Sequence, residues 1–194
     1  MTAARRGRPG HDLDAVLLVA AKTFTERGYD KTTVIEIAEP AGLTKTTFFR
    51  HFPDKREVLF GGQDTLSRLL ADGIAAAPES ATPLGAVMAG LDAATAFFTP
   101  AQREWGPRLR AVVAANSELR ERAAAKRDGL ALAMTEALQK RGVPDPASAL
   151  AAQLGALAFE RAFERWTEPA SEQSLTELAR QALHELQATA AALR

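Results

Sequence analysis

Apolar residues return at intervals of three and four along almost the whole of this 194-residue chain, and nowhere do they alternate strictly with polar ones. The first spacing lines one face of a helix and the second one face of a strand, so the pattern selects an all-α fold. Leu13, Val16, Leu17, Ala20 and Phe24 stand at i, i+3, i+4, i+7 and i+11, with Gly28 as a stop. Val34, Ile37, Ala38 and Ala41 repeat the spacing behind Thr33, whose hydroxyl suits a helix start. Gly42 then permits the positive φ of a sharp corner, Leu43 can plug the angle, and Thr44 caps a short helix carrying Phe48 and Phe52.

Longer helices are expected beyond this point. A fourth runs from about Asp54 to Ala76 with Gly61 and Gly62 inside it, each costing about 1 kcal/mol relative to Ala. A loop over 78–83 leads to a stripe from Leu84 to Phe98 that Thr99-Pro100 ends, and a shorter helix around Trp105, Leu109 and Val112 is interrupted by Gly106-Pro107. A long helix through Leu119, Leu130, Met134 and Leu138 closes at Gly142. Two more follow, from Pro146 to Trp166 and from Ser174 to about Leu193, the last opening with the capping box Ser174-x-x-Glu177. About nine helices result, in an N-terminal three-helix domain over 1–58 and a larger helical domain over 59–194.

Charge has to be read by position. The 24 Lys and Arg cancel the 24 Asp and Glu, which taken alone argues against a phosphate-binding surface. Residues 1–60, however, hold ten basic against eight acidic side chains, and residues 61–194 hold 14 against 16. Three of the basic ones, Arg5, Arg6 and Arg8, lie in the first ten residues with no acid among them. The absence of cysteine excludes disulfides and thiolate metal sites. His11, His51 and His184 are too scattered for a metal site, and no phosphate loop, nucleophile elbow or zincin pattern occurs. No secretory signal or membrane-length apolar run is present either. The expectation is a cytoplasmic protein that is not an enzyme and uses no cofactor, metal or membrane.

Segment 33–52 has the form of a helix-turn-helix. With Leu43, Phe48 and Phe52 inward, Lys45, Thr46, Thr47, Phe49, Arg50 and His51 face outward. Hydroxyls and cations of this kind reach base edges and phosphates in a major groove. The same corner also fits an ordinary helical hairpin with a solvated face.

The fuller string runs Gly28-Tyr29, Thr32-Thr33-Val34, Ile37-Ala38, Ala41-Gly42, Thr44, Thr47-Phe48-Phe49-Arg50-His51-Phe52 and Lys55 to Leu59-Phe60. Over residues 11–60 it closely resembles the DNA-binding domain of the TetR family of bacterial repressors. The resemblance implies a ligand-responsive repressor that binds a pseudo-palindromic operator on double-stranded DNA as a homodimer, with a divergent helical domain for dimerisation and a small-molecule effector. It makes 44–51 the recognition helix, with Lys45 and Thr46 on base edges, Thr47 and His51 on bases or phosphate, and Thr33 and Lys55 on phosphate. Three residues depart from the family pattern. Phe49 replaces a Tyr and so lacks a phenol hydroxyl for phosphate, Ile35 takes a commonly polar place, and Pro40 is expected to kink the second helix.

Arg5, Arg6 and Arg8 fit a minor-groove arm, or a basic tail that only aids solubility. In the larger domain Met88, Phe97, Trp105, Met134, Phe159 and Phe163 fit either plain core or the lining of an effector pocket, with Arg110 available to neutralise an acidic ligand. The last two helices, rich in Ala and Leu, fit a dimer interface or an internal core. A different class of function also fits: a helical small-molecule binding protein or enzyme that does not use its helix-turn-helix on DNA.

Overall fold

The computed structural model describes residues 9–193, with side chains from residue 15 on except at 101. Among these residues stand nine α-helices and no strand: α1 (Pro9–Arg27), α2 (Val34–Ala38), α3 (Lys45–His51), α4 (Gln63–Ala76), α5 (Pro83–Thr95), α6 (Pro100–Ala115), α7 (Ser117–Lys140), α8 (Ala147–Trp166) and α9 (Leu175–Ala192). A 3-10 turn over Glu57–Phe60 lies between α3 and α4. The expected all-α class with an N-terminal helix-turn-helix is the observed one.

Two compact units divide the chain. Residues up to Gly61 join Pro100–Ala123 in the first, while Gly62–Thr99 and residues from Ala124 on make the second. In the first, Val16, Ala20 and Phe24 of α1 meet Ile37 of α2, Phe48 of α3, Val58 of the 3-10 turn, Val112 of α6 and Leu119 of α7 in one buried cluster. Trp105 and Leu109 of α6 extend it over Leu17 and Ala21. The expected boundary at residue 58 assigns α6 to the larger domain, but its apolar stripe is spent on α1. Each large side chain buried in this way contributes on the order of 1.5–3 kcal/mol.

Three local expectations are corrected. The fourth helix is not continuous from Asp54. Asp54 instead accepts hydrogen bonds from the backbone N–H of Arg56 and of Glu57 at 2.8 and 3.0 Å, and the 3-10 turn that follows ends at Gly61-Gly62. Gly62 has φ +85°, a left-handed conformation in which a helix cannot continue, so α4 starts only at Gln63. The second correction concerns α6, which passes through Gly106-Pro107 unbroken. Pro107 removes one backbone donor, and the burial of Trp105 and Val112, 5% and 7% exposed, offsets that loss. Third, Pro40 kinks nothing, because α2 ends at Ala38 and Pro40 belongs to the closing turn. That turn is fixed by Leu43 N–H on the Ala38 carbonyl at 2.8 Å and Gly42 N–H on the Glu39 carbonyl at 3.0 Å.

In the second unit α5 is central, packing against α4, α8 and α9. Helices α4 and α5 meet backbone to backbone, since a Cβ on Gly90 would fall 2.8 Å from the Leu70 carbonyl oxygen and one on Gly73 2.8 Å from the Gly90 Cα. Leu91, Met134, Leu138, Ala152, Ala182 and Leu183 fill the interior. Asp92 holds Arg180 through two hydrogen bonds of 2.8 and 2.9 Å, which pins α5 to α9. Ser174 and Glu177 form the expected capping box of α9.

Candidate nucleic-acid interface

The geometry of α3 follows from the cap at its start and the side chain at its centre. Thr44 accepts a hydrogen bond from the Thr47 backbone N–H at 3.1 Å, and Phe48, fully buried, roots the helix in the core beside Phe52, with ring centroids 5.1 Å apart. Turned away from that anchor, Lys45, Thr46, Arg50 and His51 are exposed, and Phe49 is 43% exposed. The outward face therefore carries two permanent cations, an imidazole, a hydroxyl and an apolar ring, with no carboxylate on α3. Thr47 is half-buried, and its hydroxyl lies 2.9 Å from that of Thr44, so the two share one hydrogen bond.

Helix α2 presents Ile35, 45% exposed, and is fixed at its start by a reciprocal cap. The Thr33 hydroxyl accepts from the Glu36 N–H, and the Glu36 carboxylate accepts from the Thr33 N–H at 2.8 Å. Those Thr33 donors, with Arg27 as an ion partner, hold the Glu36 carboxyl below its usual range. The Thr33 amide expected to meet phosphate is thus already engaged, while the side chain as a whole stays exposed.

Lys55 is half-buried, and its ammonium donates to the Tyr29 carbonyl at 2.6 Å and the Thr32 carbonyl at 3.0 Å. It also sits 4.1 Å from the centroid of the Tyr29 ring. Burial, followed by the nearby charges of Glu118 and Asp54, pushes the Tyr29 phenol up to about 12. Sequence spacing gave no sign of this arrangement, since the partners lie 26 and 23 residues away. The residues Arg5, Arg6 and Arg8 lie outside the described ones.

The effector candidates fall in both units. Trp105 and Arg110 belong to α6 in the first, and each has a buried nitrogen without a hydrogen-bond partner, Nε1 and Nε respectively. Met88, Phe97, Met134, Phe159 and Phe163 belong to the second. There Phe159 and Phe163 cluster with Phe98 and Trp166 in tilted and edge-on contacts, the Phe98 ring lying 5.7, 5.9 and 6.1 Å from the other three. Phe98 is the centre of that group, whereas its neighbour Phe97 is 54% exposed. Met134 is fully buried against Gly155, where an added Cβ would lie 3.1 Å from its sulfur. A separate open cavity of about 370 Å³ in the first unit is lined by Phe24, Tyr29, Asp30, Val112 and Asn116, and by none of the candidates. Among the described residues no group of side chains is arranged to hold a metal ion, and no helix is long and apolar enough to cross a membrane.

Residues 16–60 match the model of the bacterial regulatory proteins of the tetR family. The chain is 32% identical over 74 residues to the HTH-type transcriptional regulator TcmR of Streptomyces glaucescens, a stretch covering 38% of this chain and 33% of that one. It is 42% identical over 45 residues to the HTH-type transcriptional repressor BepR of Brucella suis, 23% of this chain and 22% of that one. The aligned stretches thus span at most about a third of these two relatives. Over the whole fold it is similar to TylP, a TetR regulator from Streptomyces fradiae, with a TM-score of 0.55 at 19% identity, covering 94% of this chain and 87% of that one. The capped α3 and its Gly42 corner fall inside the matched segment, so it is the helix-turn-helix stretch, residues 16–60, that is similar to the bacterial regulatory proteins of the tetR family.

Proposed function

We propose that this protein is a homodimeric, ligand-responsive repressor that reads a pseudo-palindromic DNA operator with α3. The observation that carries the reading is the outward face of α3, where Lys45, Thr46, Arg50 and His51 are exposed on a helix that holds no carboxylate and is rooted by Phe48. Lys45 and Thr46, in the first turn, address base edges, while Arg50 adds positive charge and His51 a ring nitrogen towards the backbone. Thr33, Thr44, Thr47 and Phe49 border this surface, and the arm of Arg5, Arg6 and Arg8 follows the adjacent minor groove.

One short helix contacts few bases, so a two-fold pair is needed to span two half-sites about 34 Å apart. Leu150, 61% exposed, with half-buried Leu154 and Leu157, stands at i, i+4 and i+7 on α8 and offers an apolar stripe to a second copy. The relative BepR is named a repressor, which supports that sign of regulation. A small apolar or amphipathic effector bound in the second unit would act through Gly61-Gly62, where the chain passes between units. It must bind the two states with different affinity to do so. Cytoplasmic action follows from this role.

In vitro selection of bound DNA fragments is the test. Enrichment of a two-fold symmetric sequence supports the reading, with Lys45→Ala or Thr46→Ala changing the selected bases. No enrichment over random DNA would favour a helical binding protein or enzyme that does not use the motif on DNA.

A further inference from the structure

We propose that Lys55 is a positioning residue for DNA reading, acting by pinning the segment before α2 and making no phosphate contact itself. This rests on the DNA-reading function proposed above. An ammonium has three donors, and here two are committed to the carbonyls of Tyr29 and Thr32, at 2.6 and 3.0 Å. The charge also rests 4.1 Å above the Tyr29 ring, whose face is electron-rich. Two of the three donors are spent, so a phosphate would find at most one, and that beside the Tyr29 ring. What the clamp holds is specific: Tyr29 follows the left-handed Gly28 that ends α1, and Thr32 precedes Thr33, the cap of α2. The buried Thr32 hydroxyl closes the same turn on the Gly28 carbonyl at 2.8 Å. Lys55 itself follows α3, so one side chain connects the segment after the reading helix to the segment that aims its supporting helix. Losing the clamp frees residues 29–33 and with them the angle at which α2 and α3 are presented.

The test compares wild type, Lys55→Met and Lys55→Arg on a duplex selected with the wild-type protein and on a random duplex of equal length. For a positioning residue, Lys55→Met weakens the selected duplex on the order of tenfold while the random duplex and the slope of log K against log salt stay at wild type. Lys55→Arg does not restore selectivity, because the site is shaped for a compact ammonium between two carbonyls and a ring. Backbone amides of residues 29–34 exchange faster in Lys55→Met without DNA. A phosphate contact predicts the opposite: a slope shallower by about 0.9 per lost contact, both duplexes weakened alike and full rescue by Arg. That pattern, or unchanged amide exchange, overturns the proposal. Failure of the wild-type protein to select any duplex sinks the DNA reading beneath it, and the exchange measurement still decides whether the clamp exists.

Discussion

Arg122 of α7 forms an ion pair with Glu57, the first residue of the 3-10 turn after α3, across 65 residues of sequence. The Glu57 side chain is 17% exposed and that of Arg122 39%, so the pair stands at the edge of the first unit, partly screened by solvent. The carboxylate holds the Arg122 guanidinium above its ordinary range, chiefly through their hydrogen bond. Exposed pairs are worth about 0.2–1 kcal/mol, and Arg122→Met is expected to cost close to the upper end of that range. Urea unfolding at low and high salt checks this: the difference from wild type should shrink as salt rises.

Tyr29 sets an alkaline limit on stability. Its phenol ionises near 12 in the folded chain against 10.0 for an unperturbed tyrosine, so between these values the folded state holds a proton that the unfolded state has released. The contribution of this phenol is therefore complete below about pH 10 and is lost as pH rises towards 12, by roughly 1.4 kcal/mol per unit. Tyr29→Phe keeps the ring under Lys55 and removes the titrating group. Its urea midpoint should lose that share of the decline between pH 10 and 12, and an undiminished decline would show that other groups cause it.

Gly62 is held at φ +85° with open space where a Cβ would stand. The cost of Gly62→Ala is accordingly one of backbone conformation alone, about 1–2 kcal/mol. Gly62→Asn, which tolerates the left-handed region, should cost less. Equal midpoints for wild type and the Ala variant in denaturant would mean that the turn relaxes freely into helix. If Gly61→Ala with Gly62→Ala leaves operator affinity and induction unchanged, the proposed coupling through this turn is wrong.

A dimer built on α8 makes Leu150 a sensitive position. It is 61% exposed in the single chain, so Leu150→Glu should leave the unfolding of the protomer nearly unchanged. Placing a charge in a self-complementary apolar stripe should weaken dimerisation at least tenfold, about 1.4 kcal/mol. Sedimentation velocity over a concentration series separates the outcomes, and a wild-type protein that stays monomeric throughout removes the dimer proposal itself.

Much of the fold was legible because it is written locally. The Val16-to-Phe24 stripe, the Gly28 and Gly142 stops, the Thr44 cap and the Ser174-Glu177 box each lie within about two helical turns, where spacing and capping chemistry suffice. The failures share one cause. Gly61-Gly62 looked like two weak points inside a helix because the carboxylate of Asp54 and the ring of Phe52, 3.2 Å from where a Gly61 Cβ would stand, were not visible from spacing. Pro107 looked like a break because the cover that α1 supplies to Trp105 is more than 80 residues away in sequence. At the candidate interface, the outward set on α3 could be read from Phe48 and Phe52 pointing inward. The engagement of Lys55 could not, because backbone carbonyls leave no trace in a pattern of side chains.

The return of α6 and the start of α7 to the first unit also governs when that unit can be completed. On a ribosome the helix-turn-helix emerges early, but Leu17 and Ala21 have no cover until Trp105 is made, and the cluster around Phe24 stays open until Val112 and Leu119 arrive. Closing that core also means drawing together the ends of the stretch 62–99, whose entropy grows only slowly with length. The nascent chain is thus kept from forming a finished reading surface until most of the polypeptide has been synthesised. On the proposed DNA-reading role, half-made protein would not occupy an operator.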